Sequence, residues 1–563
     1  MGGLKLPFLA WIGSYDRAWL RGDLVAGLTV WAVLVPEALA YATIAGVSPV
    51  VGLYAAPAAL ILYAAFGSSR HLVTGPMAAT AALSAAAVGD FAAGGSDAFL
   101  QLTITLALVV GVLALAAGIF RLGFLANFIS EPVLKGFIIG LALTIIAGQL
   151  PKLFGVEKTE GNFFEIVWGL LGDLGSTSGL TLLVGLLSLV LVVGLKEYAP
   201  VVPGSLAAVL FGILAVSLFG LDDHGVAIVG QIESGLPSLG LPDVGFSDVL
   251  DIAPASVGIM LVGFVEGLAA AKTYAARNHY DVDANRELVG LGAANVGAGL
   301  SGGMVVNGSL SKTAVNGGAG AKSQLSGLVV AALTIMTILF LTGLFEQLPE
   351  ATLAAIVIAA LIELVDVRSL VRLYRTYTKG LGRIYGVAAR PDFIAAVAAL
   401  VGVLVFDTLP GLFIGIGVSL LLMIYRTSRP HVAVLGRVPG TASQFGDVER
   451  HAENEPVPGV VVLRVEAGLY FANADTVRKT VLAHACEGTR AIVLDAETVP
   501  FVDVTAAEML AALAEELDTR GVRLLIAREL GQVRDVLDSA EAGERLVQTY
   551  PTVQAAVEAA QRL

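Results

Sequence analysis

Three runs of this chain place chemically active side chains among almost wholly apolar neighbours. Glu37 sits in WAVLVPEALAYA, Glu266 in GIMLVGFVEGLAAA, and Lys312 in VNGSLSKTAV beside Asn307, Ser309, Ser311 and Thr313. A charge at the centre of a bilayer costs about 2.5–3.5 kcal/mol on insertion scales, so such residues normally face a bundle interior and mark an ion path or proton relay. The alternative for each acid is a buried, satisfied structural carboxyl. Both acids fall in apolar stretches that open a set of seven, which favours a shared functional role.

The segments GPMAATAAL, from Gly75, and VNGSLSKTAV are too short to cross a bilayer at about 1.5 Å per residue. Glycine or proline at their entries predicts two half-helices starting near the midplane. A helix N-terminus presents unpaired amides and a partial positive charge, which suits an anion. Lys312 adds attraction, and the hydroxyls of Ser309, Ser311 and Thr313 add donors. Ordinary packing of a Gly/Ser-rich helix is the competing explanation, and a lysine inside the membrane speaks against it.

Three other signals carry less. GGAGAKS looks like a phosphate-binding loop, but Ala321 precedes Lys322 and no strand leads into it. GLGAANVGAG suits close helix packing. The six histidines form no i, i+4 pair with an acid between them, so no metal site and no cofactor are expected.

The elements that must position these residues follow from composition. Of 563 residues, 56% are hydrophobic and 14% charged, with 65 glycines; the mean hydropathy is +0.81. A spanning helix needs roughly 20 apolar residues. Apolar stretches fall near 24–44, 50–66, 75–89, 98–120, 132–149, 179–196 and 204–220. A second set falls near 253–275, 287–300, 308–317, 324–343, 350–365, 391–407 and 410–425. The expected membrane part is therefore all-α, 14 helices over residues 24–425. Connections carrying Arg70, Arg121, Lys135, Lys196, Arg277, Arg286, Lys322, Arg368, Arg372, Arg375, Lys379 and Arg383 alternate with connections carrying Asp90 and Asp97, and with 221–253, which has six acids and no Lys or Arg. The positive-inside rule puts both termini in the cytoplasm of a multi-pass inner-membrane protein. Each seven then starts on an opposite side, as an inverted repeat does.

Residues 1–23 form a short N-terminus without signal-peptide features. Residues 426–457 read as a linker. In 458–563 the runs GVVVLRV, AIVLDA and VRLLIA alternate with helical stretches near 473–485, 504–519, 530–539 and 551–562, a small soluble α/β domain. The formal charge is −13. From Thr441 onward 20 acids oppose 11 bases, a balance of −9 that disfavours a nucleic-acid partner. Cys486 is the single cysteine and reads as a buried thiol.

PEALAYATIAGVSPVVGLY (Pro36 to Tyr54), LVTGPMAATAAL, FVEGLAAAKTYAARNHYDVDANREL and GAANVGAGLSGGMVVNGSLSKTAVN resemble the sulfate permease (SulP) family of anion transporters. The resemblance covers nearly the whole chain. It implies core and gate subdomains, a C-terminal STAS-like domain and a homodimer. It also implies an anion site mapping to Gly75, Pro76, Met77 and Ala78 with Tyr41 on one side, and to Gly308, Ser309, Leu310, Ser311 and Lys312 on the other. Glu37 stands where the family often has Gln. Glu266 is followed four residues on by Ala270 rather than by the Thr that resembles a sodium ligand, so protons are the expected partners in coupling, with Glu266 first and Glu37 second. In the STAS-like domain the loop phosphorylated in related proteins maps near Thr505. That residue is a candidate phosphosite or simply the cap of the helix starting there, and the domain as a whole is a candidate docking partner for a cytoplasmic protein. The expected function is proton-coupled uptake of a small anion, sulfate first. An uncoupled or exchanging carrier of bicarbonate, chloride or dicarboxylate stays open, as does a membrane-anchored sensor signalling through its C-terminal domain. No enzymatic activity is expected.

Overall fold

The computed structural model describes residues 11–12, 15–128, 130–157, 159, 161–199, 202–232, 234–237, 239–376, 390–406, 408–539 and 548–562. Lys379 and Arg383, two of the charges counted above, lie outside them. The chain divides into two compact units, one of residues 1–373 with 392–418, the other of 374–391 with 419–563.

In the first unit the first seven predicted stretches form α1 (Leu20–Ile44), α2 (Pro49–Phe66), α3 (Ala78–Gly89), α4 (Asp97–Ile119), α5 (Glu131–Phe154), α7 (Gly179–Tyr198) and α8 (Gly204–Phe219). The second seven form α9 (Phe246–Arg277), α10 (Ala284–Leu300), α11 (Leu310–Gly318), α12 (Leu325–Phe340), α13 (Glu350–Ile362), α15 (Pro391–Phe406) and α16 (Thr408–Thr427). Among the described residues, seven of these are long and apolar enough to cross a bilayer alone. The shorter ones include α3 and α11, whose 12 and 9 residues span only about 18 and 14 Å at 1.5 Å per residue. Two helices had no counterpart in the hydropathy pattern. They are α6 (Phe163–Asp173), started by the capping box of Asn162 and Glu165, and α14 (Val367–Arg375), whose alternating basic and apolar residues are amphipathic rather than uniformly apolar.

The packing is symmetric under exchange of the halves. α1 meets α11 and α12 as α9 meets α3 and α4, and α2 packs on α12 as α10 packs on α4. A second group holds α5, α7, α8 and α13. Close approach in the first group, and of α5 to α15, uses glycine. A Cβ on Gly52 would stand 2.0 Å from the Ala38 carbonyl oxygen, and one on Gly136 would stand 1.9 Å from that of Ala396. With lipid as apolar as any side chain, such backbone-to-backbone contact supplies the association energy.

In the second unit, β3 (Val432–Arg437), β4 (Phe445–Asp447), β5 (Val460–Val465), β6 (Ala491–Asp495), β7 (Arg523–Ala527) and β8 (Gln548–Tyr550) make one sheet in the order β4-β3-β5-β6-β7-β8. The β5 to β8 pairs are parallel, while β3 pairs antiparallel with β4 and β5. Helices α17 (Ala474–Ala483), α18 (Val504–Thr519) and α19 (Gly531–Ser539) bury one face of the sheet. Helix α20 (Val553–Gln561) buries the other. The stretch read as a linker thus supplies two strands: Ala433 and Leu435 alternate into the core from a run too short and too closely flanked by Pro430 and Pro439 to stand out in sequence.

Candidate functional site

The geometry of the membrane centre begins with a two-stranded ladder. β1 (Val73–Gly75) and β2 (Asn307–Ser309) pair antiparallel, with Val73 opposite Ser309, Thr74 opposite Gly308 and Gly75 opposite Asn307. The ladder satisfies backbone groups that water cannot reach. Helix α3 follows β1 and α11 follows β2. Because the strands are antiparallel, the two helices leave the ladder in opposite directions, with their N-termini at its two ends. Met77, the N-cap of α3, is extended and offers no side-chain cap. Ser309 caps α11 by accepting from the Lys312 amide at 3.2 Å.

Gly263 and Gly267 of α9 make room for this ladder. A Cβ on either would lie 3.3 Å from the Asn307 side chain. Asn307 is fully buried; its Nδ2 donates to Glu266 Oε2 at 3.1 Å, and its Oδ1 accepts from the Gly308 amide at 2.7 Å. Glu266 itself is half-buried. The two acids thus sit in unlike surroundings. Glu37 faces a cation, because the Lys312 ammonium lies 2.8 Å from its Oε2, although that oxygen is not aligned to accept a hydrogen bond. The same ammonium donates to the Pro76 carbonyl at 3.1 Å and stands 5.0 Å from the centre of the Tyr41 ring. Side-chain exposure is 1% at Lys312 and 8% at Glu37. A cation so buried is tolerable only because it is paired.

The structure therefore brings Pro76 and Tyr41 to the Lys312 ammonium, with Gly75 and Gly308 in the ladder, Ser309 capping α11, and Met77 and Ala78 at the start of α3. Leu310 and Ser311, on the exposed side of α11, are further out, although the Ser311 hydroxyl reaches that of Ser309 at 3.1 Å. Three sequence expectations need correction. Thr313 has a structural contact as well: its Oγ1 accepts from the Val73 amide at 3.1 Å and holds β1 in place. Thr505 does not cap α18; Asp503 does, accepting from the Ala506 amide at 2.8 Å, and Thr505 is exposed one position inside the helix start. Cys486 is exposed rather than buried.

Several positioning residues escaped the sequence reading. Asn295, at the centre of the Gly-rich α10, is fully buried and brackets Val306, donating to its carbonyl and accepting from its amide at 3.0 Å each. Asn316 donates to His71 O, and Gln324 to Ser69 O and Leu72 O, all at 2.9 Å. Those polar side chains in apolar helices were the available signal. The look-alike phosphate loop does bind a negative group, but an internal one: the Lys322 and Ser323 amides donate to Asp23 Oδ1 at 2.7 and 3.1 Å. Asp23, fully buried, falls inside α1, which begins at Leu20. A second loop treats Glu287 alike, with Ser68 and Ser69 amides donating to Oε1 and the Tyr63 hydroxyl to Oε2.

Comparison with known proteins identifies the family and the fold. The profile described as "Sulfate permease family" matches residues 20–385, and that described as "STAS domain" matches 451–556. A probable sulfate transporter of Mycobacterium tuberculosis is 37% identical over 561 residues, covering 99% of this chain and 98% of the relative. High affinity sulfate transporter 2 of Stylosanthes hamata is 30% identical, covering 92% and 80%. The structure of the murine solute carrier 26 family member A9 anion transporter in its inward-facing state superposes with a TM-score of 0.89 at 24% identity, covering 99% of this chain and 94% of that one. The transmembrane domain of a cyanobacterial bicarbonate transporter superposes at 0.60 with 24% identity, covering 71% and 98%. These relatives are transporters, not enzymes.

Proposed function

Because this chain belongs to the sulfate permease family, we propose that it carries a small oxyanion, sulfate first, across the cell membrane together with protons. The anion sits between the N-termini of α3 and α11, held by backbone around Gly75 to Ala78, by Gly308 and Ser309, by the Ser311 hydroxyl and by Lys312, with Tyr41 as a wall. The observation that carries this reading is the buried Glu37–Lys312 pair at 2.8 Å between those two helix starts.

With Glu37 ionised, Lys312 is already neutralised and a dianion gains little from it. A proton on Glu37 releases the ammonium, and the oxyanion takes the carboxylate's place. A second proton on Glu266 makes one dianion with two protons electroneutral. Each uncompensated charge moved across the membrane would otherwise cost about 2.3 kcal/mol per 100 mV. Movement of the α1–α4 and α9–α12 group against the other helices then opens the site to the far side. The sulfate preference is taken from the names of the relatives, and the assembly as a homodimer with both termini in the cytoplasm from the family resemblance and the charge bias of the connections.

The test is sulfate uptake into proteoliposomes with and without an inward proton gradient. Gradient-driven accumulation supports the proposal. Anion flux that equilibrates identically with and without the gradient rejects coupling and favours an uncoupled or exchanging carrier of bicarbonate, chloride or dicarboxylate.

A further inference from the structure

Away from the central ladder, a cavity of 240 Å³ opens beside the loop joining α2 to β1. Its walls include Trp11, Ser69, Arg70, Tyr280, Asp281 and Arg286. Two guanidiniums reach it, and neither is ion-paired with a carboxylate among the described residues. Arg70 lies over the Tyr280 ring, 5.4 Å from its centre. Arg286 donates through Nη2 to the Gly67 carbonyl at 3.0 Å, while its Nε is buried with no partner. The neighbouring Glu287 spends its oxygens on Tyr63, Ser68 and Ser69 and makes no direct pair with either guanidinium. Asp281 lines the cavity but is exposed and pairs with neither arginine among the described residues. An orphaned buried guanidinium nitrogen is expensive and asks for an acceptor.

We propose that this cavity is a second anion site, for a tetrahedral oxyanion group, separate from the site around Lys312. Guanidiniums recognise that shape through paired N–H donors, and the volume accommodates a phosphate with an organic remainder as well as a bare ion. Trp11, tied by its indole N–H to the Ala64 carbonyl at 2.8 Å, and Tyr280 form the apolar walls. The occupant is either a free phosphate-type ion or the headgroup of an anionic lipid.

Its consequence runs through the loop. Ser69 to Leu72 lead directly into β1, and three side-chain amide bonds fasten that loop to α11 and α12: Asn316 to His71 O, and Gln324 to Ser69 O and Leu72 O. An anion gripping Arg70 and Arg286 stiffens the segment that sets Gly75 opposite Asn307. Occupancy therefore modulates turnover at the central site.

The experiment measures binding of radiolabelled inorganic phosphate to the purified full-length protein in detergent and, in a second arm, binding of the protein to vesicles of phosphatidylcholine with and without phosphatidylglycerol. Both arms are run in a Lys312→Met background, so that the central site cannot contribute. Arg286→Gln and Arg70→Gln are each expected to weaken binding about tenfold or more, as loss of a guanidinium–oxyanion contact does. Arg286→Lys, which keeps the charge but loses the fork, is expected to recover only part. Loss in the phosphate arm identifies a free ion, and loss in the vesicle arm a lipid headgroup. Unchanged binding of both Gln variants in both arms, with melting temperatures matching the parent, overturns the proposal. Failure of proton coupling in the uptake assay leaves this measurement unaffected.

Discussion

Replacing Lys312 with methionine, alone and together with Glu37→Gln, separates what the buried pair does for stability from what it does for transport. At 2.8 Å two unit charges attract by about 6 kcal/mol at an effective dielectric of about 20. Most of that offsets their desolvation. Removing one partner is costly because the other is left buried and uncompensated, typically by about 3–5 kcal/mol. Lys312→Met strands the Glu37 carboxylate, and Glu37→Gln strands the ammonium, which keeps only the Pro76 carbonyl and the Tyr41 ring. Each single variant is thus expected to lower the melting temperature of the detergent-solubilised protein clearly, and the double variant to lose less than the two single losses added together. Transport divides differently. Lys312→Met and the double variant lose sulfate uptake, while Glu37→Gln, whose side chain mimics a protonated carboxyl, keeps uptake but responds far less to a proton gradient. Added sulfate should raise the melting temperature of Glu37→Gln more than that of the parent at neutral pH. Additive stability losses with no coupling between the two positions, or a Glu37→Gln protein still fully driven by protons, would refute the reasoning.

Three further expectations follow from other contacts. Glu266→Gln keeps the hydrogen bond to Asn307 but removes one proton site, so uptake persists and becomes sensitive to membrane voltage; a voltage-independent, proton-driven variant would contradict the two-carboxyl scheme, as read from uptake under imposed potassium diffusion potentials. Gly52→Ala drives a methyl group into the Ala38 carbonyl at 2.0 Å between α1 and α2; overpacking of this kind costs about 1–3 kcal/mol or more, visible as a lower melting temperature and a smaller monodisperse yield. Asp495→Asn loosens the C-terminal domain: the fully buried carboxylate binds Arg464 at 2.8 Å and Arg528 at 2.6 Å. Burial works against the Arg528 charge, yet Asp495 and Glu497 outweigh it and raise its pKa above the ordinary arginine value. Since both arginines are partly exposed, the loss is expected at about 2–3 kcal/mol, read as faster proteolysis within 430–563 of the full chain.

Much of the protein is legible from sequence alone because the bilayer is a strict solvent. Apolar stretches long enough to satisfy it delimit the helices, and the intolerable cost of stray charge singles out Glu37, Glu266 and Lys312 before any coordinates exist. The shortness of the α3 and α11 segments likewise follows from a rise per residue that no neighbour can alter. The family signature from Pro36 to Tyr54 and the strand–helix alternation after residue 458 are also local patterns.

Pairing is different, since it depends on where distant segments meet. Nothing in the spacing of residues 37, 266, 307 and 312 says that Lys312 takes Glu37 while Glu266 takes Asn307; that is settled by the antiparallel β1–β2 ladder and by the glycine face of α9 that admits it. Nor does the chain reveal that Asp23 and Glu287 occupy the amide cradles of two loops, that Thr313 accepts from the Val73 amide, or that β3 and β4 join a sheet whose remaining strands begin at Val460. Such partners are separated by tens to hundreds of residues, and hydrogen bonds and ion pairs act only over a few ångströms. Their identity is therefore a property of the packed fold.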